Sequence, residues 1–107
     1  MQLAPDNAFK ALADPTRRRL FERLAREGEL SVNALTEGSG VSQPAVSKHL
    51  AVLKRAQLVD ERRQGRESRY RVDQQGLGPV VDWFSHYAAF WPDKLDRLED
   101  LLNRIDQ

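Results

Sequence analysis

The chain has no cysteine, which excludes disulfides, thiolate metal sites and thiol nucleophiles, and permits a reducing compartment. Long apolar runs are missing too: nowhere do roughly eighteen apolar residues follow one another. The opening Met1-Gln2-Leu3-Ala4-Pro5-Asp6 has no basic stretch leading into an apolar one. These absences predict an unexported, cytoplasmic chain with no membrane partner. No nucleophile, base and orienting group fall together anywhere, so no enzyme and no cofactor are expected. Net charge is nearly absent as well, at +1.

What is present is unevenly placed. Residues 1–43 sum to 0, residues 44–72 to +5 and residues 73–107 to −4. A basic middle beside an acidic tail suggests that the middle faces phosphates while the tail has another task. The 107 residues are enough for one domain, able to bury about two-thirds of its unfolded surface.

Helix signals dominate the first half. Phe9, Leu12 and Ala13 form a short apolar stripe, and Asp14-Pro15 supplies an N-cap followed by proline at the first helical position. Leu20, Phe21, Leu24 and Ala25 give the second helix its apolar face, and Gly28 offers its stop. Ser31 then caps a short helix holding Val32 and Leu35, Gly38-Ser39-Gly40 makes a turn, and Ser42 caps a further helix. Two short helices joined by a glycine-containing turn have the layout of a helix-turn-helix.

In the second of these helices Val46, Leu50 and Leu53 fix the buried side. The opposite side presents Pro44, Lys48, Ala51 and Arg55, flanked by Ser47 and Lys54, with Gln43 projecting from the first turn. A face that is small at its start and basic further on suits a major groove. Gln43 can pair with adenine, Ser47 can serve several base edges, and Lys48 can reach guanine or phosphate, while the helix start at Ser42 favours a phosphate. His49 falls nearer the apolar stripe and is read as a packed residue.

Leu58 to Val72 reads as a hairpin. A two-residue turn at Gln64-Gly65 sets Val59 against Tyr70, Asp60 against Arg69 and Arg62 against Glu67. The same register opposes Arg63 and Arg66 at the tip, where an anion such as a phosphate would relieve the repulsion.

The stretches Leu12-Ala-Asp-Pro-Thr-Arg-Arg-Arg-Leu20, Val41-Ser-Gln-Pro-Ala-Val-Ser-Lys-His-Leu50 and Leu58-Val59, followed by Arg62-Arg63-Gln64-Gly65-Arg66, resemble the ArsR/SmtB family of winged-helix repressors over nearly the whole chain. The resemblance implies a mainly α winged helix-turn-helix fold with a β-hairpin wing, in a single domain spanning residues 1–107. It further implies a homodimer whose recognition helices enter successive major grooves of an inverted-repeat operator in double-stranded DNA. Repression would be relieved by an inducer, small molecule or protein, of unknown identity. By position, the family's DNA contacts fall on Gln43, Pro44, Ser47 and Lys48, with Arg66 on the wing. Adding the cap and the remaining hairpin cations, the candidate DNA-binding residues are Ser42, Gln43, Pro44, Ser47, Lys48, Arg62, Arg63, Arg66 and Arg69.

The departures are also informative. Where metal-sensing members carry a cysteine box this chain reads Glu29-Leu-Ser-Val-Asn-Ala-Leu35, with Ser31 and Asn33 in the thiolate positions. Of the family's other metal site only Asp82 and His86 are represented, so no metal is expected, and the chain looks like the cysteine-free, non-metal-sensing branch. Gln57 stands where a glycine is usual after the recognition helix, which leaves the end of that helix open.

The C-terminal third carries an apolar heptad stripe: Leu77, Val81, Phe84, Ala88, Trp91, Leu95, Leu98, Leu102 and Ile105. Residues 83–91 also hold Trp83, Phe84, Tyr87, Phe90 and Trp91. A helix over about residues 74–106 is predicted, kinked at Pro92 rather than broken there. Together with the N-terminal helix it is expected to form the dimer interface through Leu77, Val81, Phe84, Ala88, Trp91, Leu95, Leu98 and Leu102. Two readings stand: a DNA-binding regulator, or a winged-helix interaction module or adaptor controlled by a partner protein.

Overall fold

The computed structural model of the chain describes residues 5–88, 97 and 100–104. Helix α1 (Asp6–Ala13) meets α2 (Pro15–Glu27) at Asp14, whose carboxylate accepts the Thr16 and Arg17 N–H groups at 2.9 and 3.1 Å. The Arg17 N–H, more than any other group, holds the Asp14 carboxyl below its ordinary pKa. Arginines then close the other side of the junction. Arg17 Nε donates to the Ala11 carbonyl at 2.6 Å and Nη2 to Lys10 at 3.2 Å, while Arg18 donates to Leu12 at 3.2 Å. The last carbonyls of α1 thus gain partners that the helix itself cannot supply.

The inward face of α1 differs from the expected stripe. Ala8 and Ala11 are buried, Leu12 is half-buried, and Phe9 and Ala13 are exposed. Small side chains let the helix approach the core closely, and Phe9 turns instead to Trp83, edge to face at 5.4 Å.

Gly28 ends α2 with φ of 85°, and β1 (Leu30–Ser31) leads into α3 (Val32–Thr36), capped by Ser31 Oγ on the Ala34 N–H at 3.0 Å. The following turn needs Gly38 and Gly40 at φ of 78° and 79°. Ser42 caps α4 (Gln43–Arg55), which buries Val46, Leu50 and Leu53 as its periodicity predicts. With Leu20, Leu24, Leu35, Leu58, Val59 and Tyr70 they make up most of the core.

Helix α4 ends in a Schellman motif. The Leu58 N–H donates to the Leu53 carbonyl and the Gln57 N–H to Lys54, at 3.0 and 2.9 Å. Gln57 adopts φ of 61°, the position at which glycine is cheapest, so the end left open by the sequence is a left-handed glutamine.

The hairpin corrects the predicted register. Strands β2 (Val59–Gln64) and β3 (Glu67–Val72) pair Val59 with Val72, Asp60 with Arg71, Glu61 with Tyr70, Arg62 with Arg69, Arg63 with Ser68 and Gln64 with Glu67. The turn is Gly65-Arg66, not Gln64-Gly65. The reason is local: a two-residue turn that opens on glycine puts positive φ, here 65°, on the one residue that adopts it freely. Arg63 and Arg66 are consequently not opposed. The short β1, which alternation could not reveal, pairs with β3 to complete a β1-β3-β2 sheet.

After β3, Gln74–Leu77 form a 3-10 turn and α5 spans Gly78–Ala88. The predicted continuous helix from residue 74 therefore starts later, and Leu77 packs half-buried against its own core. Gly76 is buried in the seam: its N–H donates to the Gln57 carbonyl at 2.8 Å. The architecture is a winged helix-turn-helix.

Candidate nucleic-acid interface

The helix-turn-helix and the hairpin enclose an open cleft of about 470 Å³ lined by Val32, Asn33, Gln43, Ser47, Arg66, Glu67 and Ser68. Three of the sequence-predicted contacts, Gln43, Ser47 and Arg66, meet there although they come from two separate elements. The turn supplies the reason: Gly65 leads it, so Arg66 follows at the tip. Ser42, Pro44 and Lys48 are exposed along the same helix. Proline at the second helical position, which has no N–H, and the Ser42 cap, whose Oγ accepts the Ala45 N–H at 3.3 Å, fix the first turn of α4. His49 is half-buried.

Alternation along the hairpin sorts its charges onto two faces. One face carries Val59 and Tyr70 inward and then Glu61, Arg63 and Ser68. It is tied to α4 by Lys54 Nζ on Glu61 at 3.1 Å, and Ser68 Oγ donates to the same carboxylate at 2.8 Å. Those two donors, the hydroxyl first, hold the Glu61 carboxyl below its ordinary pKa, and Glu61 raises that of Lys54. Burial pushes the Tyr70 phenol up.

The other face is paired within the chain. Arg62 and Arg69, directly opposed, both bind Glu29, at 2.6 Å and 3.0 Å for their closest contacts. Arg69 also reaches Glu67 at 3.4 Å, and Arg71 reaches Asp60 at 3.3 Å. The expected opposition of Arg63 and Arg66 across an external anion is thus replaced by another: the opposed arginines are Arg62 and Arg69, and the anion that binds both is the chain's own Glu29. Among the described residues Lys48, Arg63 and Arg66 form no salt bridge.

Glu29 and Asn33 are the participants that sequence reasoning passed over. Asn33 had a signal, its exposed place on the first helix of the helix-turn-helix. Glu29 had none, since its partners lie 33 and 40 residues away.

The metal positions of the family do not fit a soft ion. Ser31 Oγ is buried and engaged as a cap, Asn33 is exposed on the cleft, and His86 Nδ1 sits 2.8 Å from the Asp82 backbone carbonyl. Among the described residues no group of three or more His, Cys, Asp or Glu side chains could hold a metal.

On the C-terminal side, Val81, Phe84 and Leu102 of the predicted interface are exposed at 65, 49 and 53%, with Ala88 half-buried. Trp83 and Tyr87, on the same helix, pack with ring centroids 4.8 Å apart and planes tilted by 47°. Trp91, Leu95 and Leu98, Ile105 and the Pro92 kink lie outside the described residues.

A reading helix held beside a basic wing defines a winged-helix regulator of transcription, and comparison with known proteins agrees. A helix-turn-helix domain family matches residues 12–62. The HTH-type transcriptional regulator Rv2034 of Mycobacterium tuberculosis is 51% identical over 100 residues, 94% of this chain and 90% of that protein. The transcriptional repressor SdpR of Bacillus subtilis is 30% identical over 82 residues, 77% of this chain and 90% of that one. The solved homodimeric winged helix-turn-helix DNA-binding domain from Mycobacterium bovis, a possible ArsR-family regulator, superposes with a TM-score of 0.62 at 28% identity. It covers 78% of this chain and 77% of that one. The chain belongs to the ArsR/SmtB family of winged-helix transcriptional regulators.

Proposed function

We propose that this regulator represses transcription by binding an inverted-repeat operator as a homodimer, with one α4 helix in each of two successive major grooves. The observation that carries the reading is the convergence of Gln43, Ser47 and Arg66 on one cleft. Gln43 and Ser47 read base edges; Arg66 holds the neighbouring phosphate or minor groove. Ser42, Pro44 and Lys48 set the helix against the backbone, and Arg63 adds a phosphate contact. Helices α1 and α5, with the segment beyond Pro92, form the twofold interface. The uncovered apolar side chains Val81, Phe84 and Leu102 support that, as does the homodimeric state of the Mycobacterium bovis domain. The side chains at the family's metal positions favour the branch that senses no metal.

Selection of bound fragments from random duplex DNA tests the reading. An enriched inverted repeat with half-sites about one helical turn apart is the expected result. Failure to enrich any sequence while the folded protein captures another protein would instead make this an interaction module.

A further inference from the structure

Five arginines lie between residues 62 and 71, and sequence charge alone makes all of them available to DNA. The ion pairs do not. Arg62 Nε donates to Glu29 Oε1 at 3.1 Å and Nη2 to Oε2 at 2.6 Å, and Arg69 Nε donates to the same Oε2 at 3.0 Å. Glu67 adds a second carboxylate on Arg69, and Asp60 pairs with Arg71. Three of the five are thereby paired with carboxylates on one face of the hairpin, and among the described residues Arg63 and Arg66 form no salt bridge.

We propose that Glu29 is a specificity-determining residue, holding Arg62 and Arg69 back from phosphates so that the wing offers a duplex only Arg63 and Arg66. The inference rests on the DNA-binding reading and adds to it a restraint on non-specific affinity. Binding to arbitrary DNA grows with the number of cations free to displace counterions, whereas base readout does not. A regulator gains selectivity by lowering the first without touching the second. Glu29 is placed for this: it follows Gly28, whose φ of 85° turns the chain out of α2, and precedes β1, which pairs with β3 beside Arg69. A single carboxylate shared by two opposed guanidiniums also removes the repulsion between them. The Arg62 guanidinium, above all, lowers the Glu29 carboxyl to about 2, so the carboxylate stays ionised wherever a duplex is intact.

The test compares the natural chain with Glu29→Gln, which keeps the shape and removes the charge. Anisotropy titrations on a random duplex and on a selected operator run between about 50 and 200 mM salt. Releasing two arginines steepens the random-duplex slope of log K against log salt by about 1–2 per protomer. The operator-to-random affinity ratio falls several-fold. Glu29→Gln/Arg62→Gln/Arg69→Gln returns the slope to that of the natural chain, which a merely loosened wing would not do. An unchanged or shallower slope in a Glu29→Gln protein that melts normally overturns the proposal. So does a drop of about 1 in the slope for Arg62→Gln alone. A readout independent of folding variants is the arginine Nε–Hε NMR signals of the natural chain saturated with operator. Signals of Arg62 and Arg69 that stay in place while that of Arg66 shifts support the proposal, and comparable shifts of all three overturn it. If the natural chain binds neither duplex, the DNA reading itself fails, a result distinct from binding with an unaltered slope.

Discussion

Replacing Gly76 by alanine puts a methyl group where two carbonyl oxygens already are. Its Cβ would stand 2.4 Å from the Ala56 oxygen and 2.6 Å from the Gln57 oxygen, both backbone. Carbon and oxygen rarely approach within about 3.3 Å, so the seam between the end of α4 and the start of the C-terminal segment must part by roughly 1 Å. Parting it breaks the Gly76 N–H to Gln57 bond of 2.8 Å. That loss costs about 1 kcal/mol, and overpacking adds about 1–3, for a total of about 2–4 kcal/mol. For a domain of this size the midpoint of thermal unfolding should fall on the order of 10 °C or more. Melts at one fixed protomer concentration measure it, because association also moves the midpoint. The companion change has the opposite sign. Gln57→Gly removes a left-handed glutamine and should stabilise by about 0.5–1 kcal/mol once the greater freedom of unfolded glycine is subtracted. A Gly76→Ala protein within about 0.5 kcal/mol of the parent would refute the backbone-on-backbone seam.

Further outcomes are expected elsewhere. Because Glu29 falls from 4.5 unfolded to about 2 folded, its stabilisation is complete above pH about 4.5 and is lost as pH drops toward 2. Acid titration of Glu29→Gln should accordingly show a flatter decline in that window. Arg66→Ala should reduce the salt slope by about 1 per protomer with sequence preference retained, whereas Gln43→Ala should relax one base position per half-site at a cost of about 1–3 kcal/mol. Equal effects of the two on every duplex would contradict the division of roles. Phe84→Asp should give a monomer by sedimentation at micromolar concentration, with specific DNA affinity lost and the helix-turn-helix still folded. Zinc, cadmium or arsenite in moderate excess should leave operator affinity unchanged, and a stoichiometric, chelator-reversible loss would reveal a site.

The parts of the fold legible in the sequence are those decided within three or four residues. Asp14, Ser31 and Ser42 each cap the helix that follows, and Val46, Leu50 and Leu53 repeat at helical spacing, so local chemistry was sufficient. The hairpin register was not local in this sense. Charge pointed to the wrong alignment, since the predicted one opposes two ion pairs and the observed one only Asp60 and Arg71 while setting Arg62 against Arg69; the choice falls to whether glutamine or glycine takes the left-handed turn position. Strand β1 is two residues long and carries no alternation to read. On the candidate interface, Gln43 and Ser47 were named from the helix face that periodicity defines and Arg66 from its place at the hairpin tip, and the fold brings the three to one cleft. The engagement of Arg62 and Arg69 by Glu29 depends on the tertiary path that carries residue 29 to the wing, and no spacing encodes it.

The seam at Gly76 has a consequence for how this scaffold can change its target. The recognition helix is buttressed at its far end by main-chain atoms: the carbonyls of Ala56 and Gln57 on one side, the N–H of Gly76 on the other. At its near end Gln43 and Ser47, the side chains proposed to read bases, are exposed and line the open cleft. Reading head and mounting therefore share no side chain. Substitutions at Gln43 and Ser47 can retune which bases are preferred while the mounting holds the helix at the same angle. If those two side chains read the operator, its sequence can change without a matching change in the core.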